Sequence, residues 1–176
     1  MSAIIADGRC YLSRVRVFIE DKIEFLKWIR TLAEKYQIII VCINHQMVAG
    51  QAHIETAVIH ALRNREEGRA IARTPEMEIL LYCAGTRQTG EVYRFGPVNG
   101  ENDICLCIIP PDERCLYELF SRMKEVNDMQ HDDMSAEKKA DIMEWFDISQ
   151  QELDLVGENR LIDLVRERTA LLTVNH

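Results

Sequence analysis

Residues 51–96 read QAHIETAVIHALRNREEGRAIARTPEMEILLYCAGTRQTGEVYRFG. In the first part Ile54, Ala57, Val58, Ala61 and Leu62 fall at i, i+3, i+4, i+7 and i+8, the stripe of a helix over 52–67 with one buried side. His53, Thr56, His60, Arg63 and Glu67 lie opposite, which places both histidines on one exposed ridge. Gly68 ends this helix because it tolerates a positive φ. A short basic loop, Arg69-Ala70-Ile71-Ala72-Arg73, leads to Thr74-Pro75. Thr74 reads as the N-cap of a second helix and Pro75 as its first residue, where a missing N–H costs nothing. That helix, over 75–84, carries Met77, Ile79, Leu80, Leu81 and Cys83 and is expected to be largely buried. Gly85 closes it, Thr86 caps a third helix, and Gly96-Pro97 stops that one. Three helices thus meet around one arginine-bearing loop.

Upstream, residues 11–19 alternate, with Val15, Val17 and Ile19 on one face and Arg14, Arg16 and Phe18 on the other, which predicts a half-exposed strand. Asp21 caps a helix whose buried stripe is Phe25, Leu26, Ile29, Leu32, Ala33 and Tyr36. Residues 37–43 (QIIIVCI) form an apolar strand, and Met47 and Val48 in the following loop are expected to pack inside. Downstream, residues 104–109 are apolar on both faces, the pattern of a central strand. Asp112 caps a helix with Cys115, Leu116, Leu119, Phe120 and Met123 inward. The polar, acidic segment 127–135 is the candidate for mobility. Ser135 starts another helix, Ser149-Gln150-Gln151-Glu152 is a capping box opening a short one, and 158–168 forms the last. Residues 170–174 read as a final strand. The order β-α-β-ααα-β-αααα-β predicts a single α/β domain over 1–176, with a mixed sheet of about four strands flanked by helices.

Composition removes several classes of function. A chain of 176 residues buries roughly 70% of its unfolded surface, enough for a core without staples. It has no uncharged apolar run long enough to span a bilayer and no secretory n-region, so a cytoplasmic location is expected. The six cysteines are scattered or alternate within one strand, so buried reduced thiols are expected rather than a zinc site. No glycine-rich phosphate loop, G-x-S-x-G elbow or H-E-x-x-H occurs. His53 and His60 lie roughly 10 Å apart along their helix, too far to share one metal ion. Neither a catalytic constellation nor a cofactor site emerges. The net charge is −8, and residues 112–147 hold eleven acids and five bases. The rest of the chain is therefore close to neutral and can carry a local basic patch.

That patch is the loop. Arg63, Arg65, Arg69 and Arg73 crowd the turn between the first two helices, with Arg87 at the next one. The block holds six arginines and six glutamates, so each arginine has an ion pair as its plain alternative. Against this, Ile71 is an apolar residue between arginines, next to a helix N-terminus whose free amides favour an anion. Single-stranded RNA wants this combination of cations and amides for phosphate with an apolar surface for an unstacked base. The candidate RNA-binding residues are His60, Arg63, Arg69, Ile71, Arg73, Thr74 and Arg87.

The string H-x-x-x-A-x-x-H-A-L, then a basic loop, then T-P-E-x-E-I-L-L-Y-x-A-G-x-R-Q resembles one family. The residues concerned include His53, Ala57, His60, Arg73, Glu76, Glu78, Tyr82, Gly85, Arg87, Gln88, Phe95 and Gly96. A second match runs over 164–172, Leu-Val-Arg-Glu-Arg-Thr-Ala-Leu-Leu. Together they resemble the small tRNA-binding subunits of the KEOPS complex, the PRPK-binding-protein family. One departure stands at Thr89-Gly90, where that family carries an apolar residue; Gly90 costs the third helix about 1 kcal/mol relative to alanine. The resemblance implies a non-catalytic subunit of the complex that makes threonylcarbamoyl-adenosine in tRNAs decoding ANN codons. Such a subunit holds the tRNA's 3′ CCA tail and stimulates the kinase-like ATPase subunit, while the ligase subunit performs the chemistry. The competing expectation is a protein-only activator of the kinase subunit, which the pI of about 5.2 favours because a sequence-independent RNA binder is usually basic.

Overall fold

A computed structural model of the chain describes residues 2–126 and 134–174. The segment expected to be mobile lies mostly outside these residues. In chain order the elements are β1 (Ala3–Ile5), β2 (Cys10–Ile19), α1 (Lys22–Tyr36), β3 (Ile39–Asn44), α2 (Gln51–Glu66) and α3 (Pro75–Ala84). They continue with β4 (Gly100–Ile109), α4 (Glu113–Phe120), β5 (Lys124–Glu125), α5 (Ala136–Trp145), α6 (Gln150–Val156) and α7 (Leu161–Leu171). The chain divides into two compact units: Met1–His45 with Tyr93–Gln130, and Gln46–Val92 with His131–His176.

The first unit holds the sheet. Its order is β1-β2-β4-β3, and β5 pairs with β2. The strand apolar on both faces, β4, is central, with Val15 opposite Ile104 and Ile40 opposite Ile108. Every ladder is antiparallel, where the sequence suggests a mixed sheet, and the short strands β1 and β5 bring the count to five. Val15, Val17 and Ile19 of β2 pack with Ile29 and Leu32 of α1 and with Cys115 and Leu119 of α4. Each fully buried aliphatic side chain contributes about 1.5–3 kcal/mol. Asp21 caps α1 as expected, accepting from Ile23 N and Glu24 N. Leu26, expected inside, is 37% exposed; Trp28 takes a place against the core instead. Arg14, expected on the open face, is buried and donates to Asp103 at 2.7 and 2.5 Å.

The second unit is helical. All six cysteines of the chain are free and buried, Cys83 of α3 among them, and Met47 and Val48 are buried as expected. Ser135 caps α5 and Ser149 caps α6 through their hydroxyls. The expected strand over 170–174 is instead the end of α7 and a turn. Leu161, Leu164, Val165, Thr169 and Leu172 are buried, so the helical period runs straight through the apolar triplet that resembles a strand. The expected third helix of the central block is a 3₁₀ stretch, Thr89–Phe95. Thr89-Gly90 at its start disfavours an α-helix; the Thr86 hydroxyl, expected as a cap, accepts from Gln88 N at 3.2 Å and donates to Glu91 at 3.0 Å.

Candidate functional site

The turn between α2 and α3 is pinned by backbone and side chains together. Helix α2 closes with Glu67 N donating to Arg63 O at 3.0 Å and Arg69 N to Asn64 O at 2.7 Å, around Gly68 at φ +71°. Arg65 donates to the carbonyl oxygens of Ala72 (3.0 Å) and Arg73 (3.3 Å). Glu78, fully buried in the first turn of α3, accepts from the amides of Ile71 (3.1 Å) and Ala72 (2.6 Å). A cation therefore holds the carbonyls of the loop and an anion its amides. Thr74 caps α3 as expected, accepting from Met77 N at 3.4 Å.

The arginines divide into two kinds. Arg65 works on the backbone, and Arg69 forms an exposed ion pair with Glu67. Arg87 is exposed and donates to the carbonyl of Leu172 at 3.4 Å. Arg63 and Arg73 are exposed, and among the described residues neither guanidinium has an ion pair or a hydrogen bond. The plain alternative, an ion pair for each arginine, holds for Arg69 but not, among the described residues, for Arg63 and Arg73; Glu78, one of the possible counter-charges, accepts from loop amides instead. Ile71 is half-buried between these charges.

The ridge of α2 needs one correction. His53, expected on the exposed side, is fully buried. Its Nδ1 accepts from Ala49 N at 3.2 Å and its Nε2–H donates to Cys83 O at 2.9 Å, with the ring edge-on to Phe146. Burial pushes its pKa down to about 4, so the ring is a neutral strut between the start of α2 and the end of α3. His53 falls at i, i+4 and i+11 with the buried Ala57 and Asn64, so the helical period itself places it on the packed face. His60 does stay on the ridge, half-buried and stacked on Tyr82 with ring centroids 6.1 Å apart. Its Nδ1 meets the Thr173 hydroxyl at 3.1 Å. Burial, and then the charge of Arg63, hold its pKa below the ordinary value.

The expected site residues therefore form two neighbouring groups within the helical unit. Arg69, Ile71, Arg73 and Thr74 form the turn itself. His60 and Arg63 continue along α2, and the end of α7 meets His60 through Thr173 and Arg87 through Leu172. Sequence reasoning missed Arg65 and Glu78 as the clamps of the loop. A signal for Glu78 was present: a carboxylate set among Ile79, Leu81 and Tyr82 in an otherwise apolar helix needs internal partners. It also missed Asn64, which is buried and donates to the Tyr82 hydroxyl, while its Oδ1 finds no partner among the described residues. No group of three or more metal-binding side chains stands together among the described residues, and no helix is long and apolar enough to cross a membrane.

One unit is an open antiparallel sheet with its helices and the other is helical and carries the basic turn. The model of the family described as kinase binding protein CGI-121 matches residues 19–173, which run through both units. The chain belongs to that family. Among curated proteins, none matches it.

Proposed function

We propose that this chain is a non-catalytic, kinase-binding subunit of a KEOPS complex that holds the 3′ CCA tail of tRNA in the turn between α2 and α3. In this reading it acts as one small-subunit-like domain over 1–176, in the cytoplasm. It docks on the kinase-like ATPase subunit and stimulates it, and through it serves the ligase subunit that forms threonylcarbamoyl-adenosine. Kinase binding follows the description of the family to which the chain belongs. The RNA part is carried by one observation: Arg63 and Arg73 stand exposed and unpaired among the described residues, on either side of a loop that Arg65 and Glu78 hold in shape. A rigid backbone bearing two unspent cations and a half-buried isoleucine suits phosphates and one unstacked base. Preorganisation of this kind reduces the ordering cost of binding. The test is a binding titration of the purified protein with intact tRNA and with the same tRNA lacking CCA; equal affinity for the two sinks the assignment.

The net charge of −8 favours a second reading, a protein-only activator of the kinase subunit. It predicts full stimulation of the partner's ATPase by a folded Arg63→Glu/Arg73→Glu variant and no RNA binding by the wild type.

A further inference from the structure

In the sheet unit, a groove of about 570 Å³ runs between the last residues of β2 and helix α1. Strand β4 pairs with β2 along one edge from Tyr11 to Ile19. The other edge carries two short strands, β1 opposite Cys10, Tyr11 and Leu12, and β5 opposite Val15 and Arg16. The β5 ladder stops at Arg16, and among the described residues no strand covers Val17, Phe18 and Ile19 on that edge. Val126 N donates to Arg14 O at 2.9 Å, so the backbone groups of Arg14 face the same edge. These groups alternate along a strand with a period of two, so the amide and carbonyl of Phe18 face it too. The side chain of Phe18 is 61% exposed. An unpaired edge of this kind is a template for a further strand.

Helix α1 forms the facing wall. Phe25 and Trp28 are half-buried, with ring centroids 5.9 Å apart, and give the groove an apolar floor. Arg122, exposed just before β5, lies over the Trp28 ring at 4.5 Å. Stacking of this kind leaves the N–H fork of a guanidinium free, and among the described residues Arg122 has no ion pair or side-chain hydrogen bond. Lys27 stands beside Trp28 and is exposed. At the other end Glu20 and Glu24 are exposed, while Asp21 is spent on the amides of Ile23 and Glu24. The groove thus has an acidic end and a basic end with an apolar floor between them. Trp28 lies roughly 10 Å beyond Asp21 along α1.

A strand continuing the line of β5 runs antiparallel to β2. It starts beside Glu20 and Glu24 and ends beside Lys27 and Arg122, so charge complementarity asks for a basic residue first and an acidic one last. Alternate residues of a strand share a face, and five residues span roughly 13 Å from first to last, close to the spacing of the two ends. We propose that this groove binds an extended segment of a protein partner with the pattern basic-x-apolar-x-acidic, which pairs with Phe18 as an added antiparallel strand. Main-chain bonds to Phe18 supply affinity, and the floor and the two charged ends supply specificity. The proposal uses no residue of the basic turn and stands independently of the RNA reading.

The experiment titrates the ¹⁵N-labelled full chain, at low salt, with three end-capped peptides followed by NMR. They are Lys-Thr-Leu-Thr-Glu, its charge-swapped form Glu-Thr-Leu-Thr-Lys, and the first peptide with both threonine amides N-methylated. The first is expected to shift the Phe18 amide and the Trp28 indole N–H, and to bind about fivefold more tightly than the swapped form. N-methylation, which removes the main-chain donors, should abolish the shift at Phe18. Lys27→Glu/Arg122→Glu should bring the ratio of the two charged peptides to about one, and Lys27→Glu alone, which leaves the Trp28 stack intact, should lower it; thermal melts confirm that both fold. No shift at Phe18 with millimolar peptide overturns the proposal. Equal binding of the charge-swapped peptide, or undiminished binding of the methylated one, overturns it as well. A Phe18 amide that broadens with protein concentration alone, alongside a dimer in sedimentation, assigns the edge to a second copy of the chain and overturns the partner peptide.

Discussion

Replacing Glu78 by glutamine tests whether the turn is built as described. The carboxylate accepts from Ile71 N at 3.1 Å and Ala72 N at 2.6 Å with no exposed surface. Glutamine keeps one carbonyl oxygen for one amide and turns an NH₂ towards the other, donor against donor. The loss is one charge-assisted hydrogen bond, about 1.5–3 kcal/mol, together with an amide left unpaired at about 1–3 kcal/mol. Relief of a buried charge offsets part of this. The net expectation is about 3 kcal/mol of destabilisation, which lowers Tm by roughly 6–12 °C for a chain of this size. Urea titration against Glu76→Gln, a half-buried position one residue before Met77, gives the stability comparison. The functional part is sharper. Glu78→Gln makes the protein less negative, which on charge alone strengthens RNA binding. A loosened loop instead weakens tRNA binding by about tenfold, because the lost preorganisation must be supplied on binding. Unchanged stability, or tighter tRNA binding by a folded Glu78→Gln protein, would refute the reasoning.

Other expectations can be checked alongside. His53 has a folded pKa of about 4 against 6.5 unfolded, so the unfolded chain binds the extra proton between those values and stability rises with pH across that window. The full effect is about 3 kcal/mol, lost as pH falls from 6.5 to 4; urea midpoints of His53→Gln should show a correspondingly shallower slope. Arg65→Lys keeps the charge but gives up the two-carbonyl fork, so it should lower both Tm and tRNA affinity, measured by melt and titration. Chelators and reductants should leave Tm unchanged, since all six cysteines are free and buried; a drop of several degrees on chelation would reveal a metal site.

Much of this fold is legible from local chemistry. Asp21, Thr74, Asp112, Ser135 and Ser149 are caps in the sequence and caps in the structure, because a short polar side chain before an apolar period satisfies free amides at once. The two-faced apolarity of β4 reveals its central place. Strand direction is less legible: which edge β2 offers to β1, β4 and β5 depends on pairings distant in sequence. The run at residues 170–172 reads as a strand by composition, yet Thr169 and Leu172 are buried as members of the α7 period. In the candidate site the turn, its arginines and the Thr74 cap are visible in sequence. Which arginine is spent on the backbone is not, because Arg65 and Arg63 differ only in the direction each faces around α2. Glu78 and Arg65 converge on 71–73 through tertiary geometry, and no spacing rule links them.

The central claim is that the turn holding Arg73 and Ile71 grips the 3′ tail of tRNA. Its most direct test measures the affinity of wild type and Arg73→Glu for intact tRNA and for tRNA lacking CCA, with thermal melts beside the binding curves. Arg73 is exposed and without a partner among the described residues, so the variant is expected to fold normally. The account predicts that wild type loses affinity when CCA is removed, that Arg73→Glu binds intact tRNA as weakly as wild type binds the truncated form, and that the variant is indifferent to the truncation, since both changes delete one interaction. A folded Arg73→Glu protein with wild-type affinity for intact tRNA would contradict it.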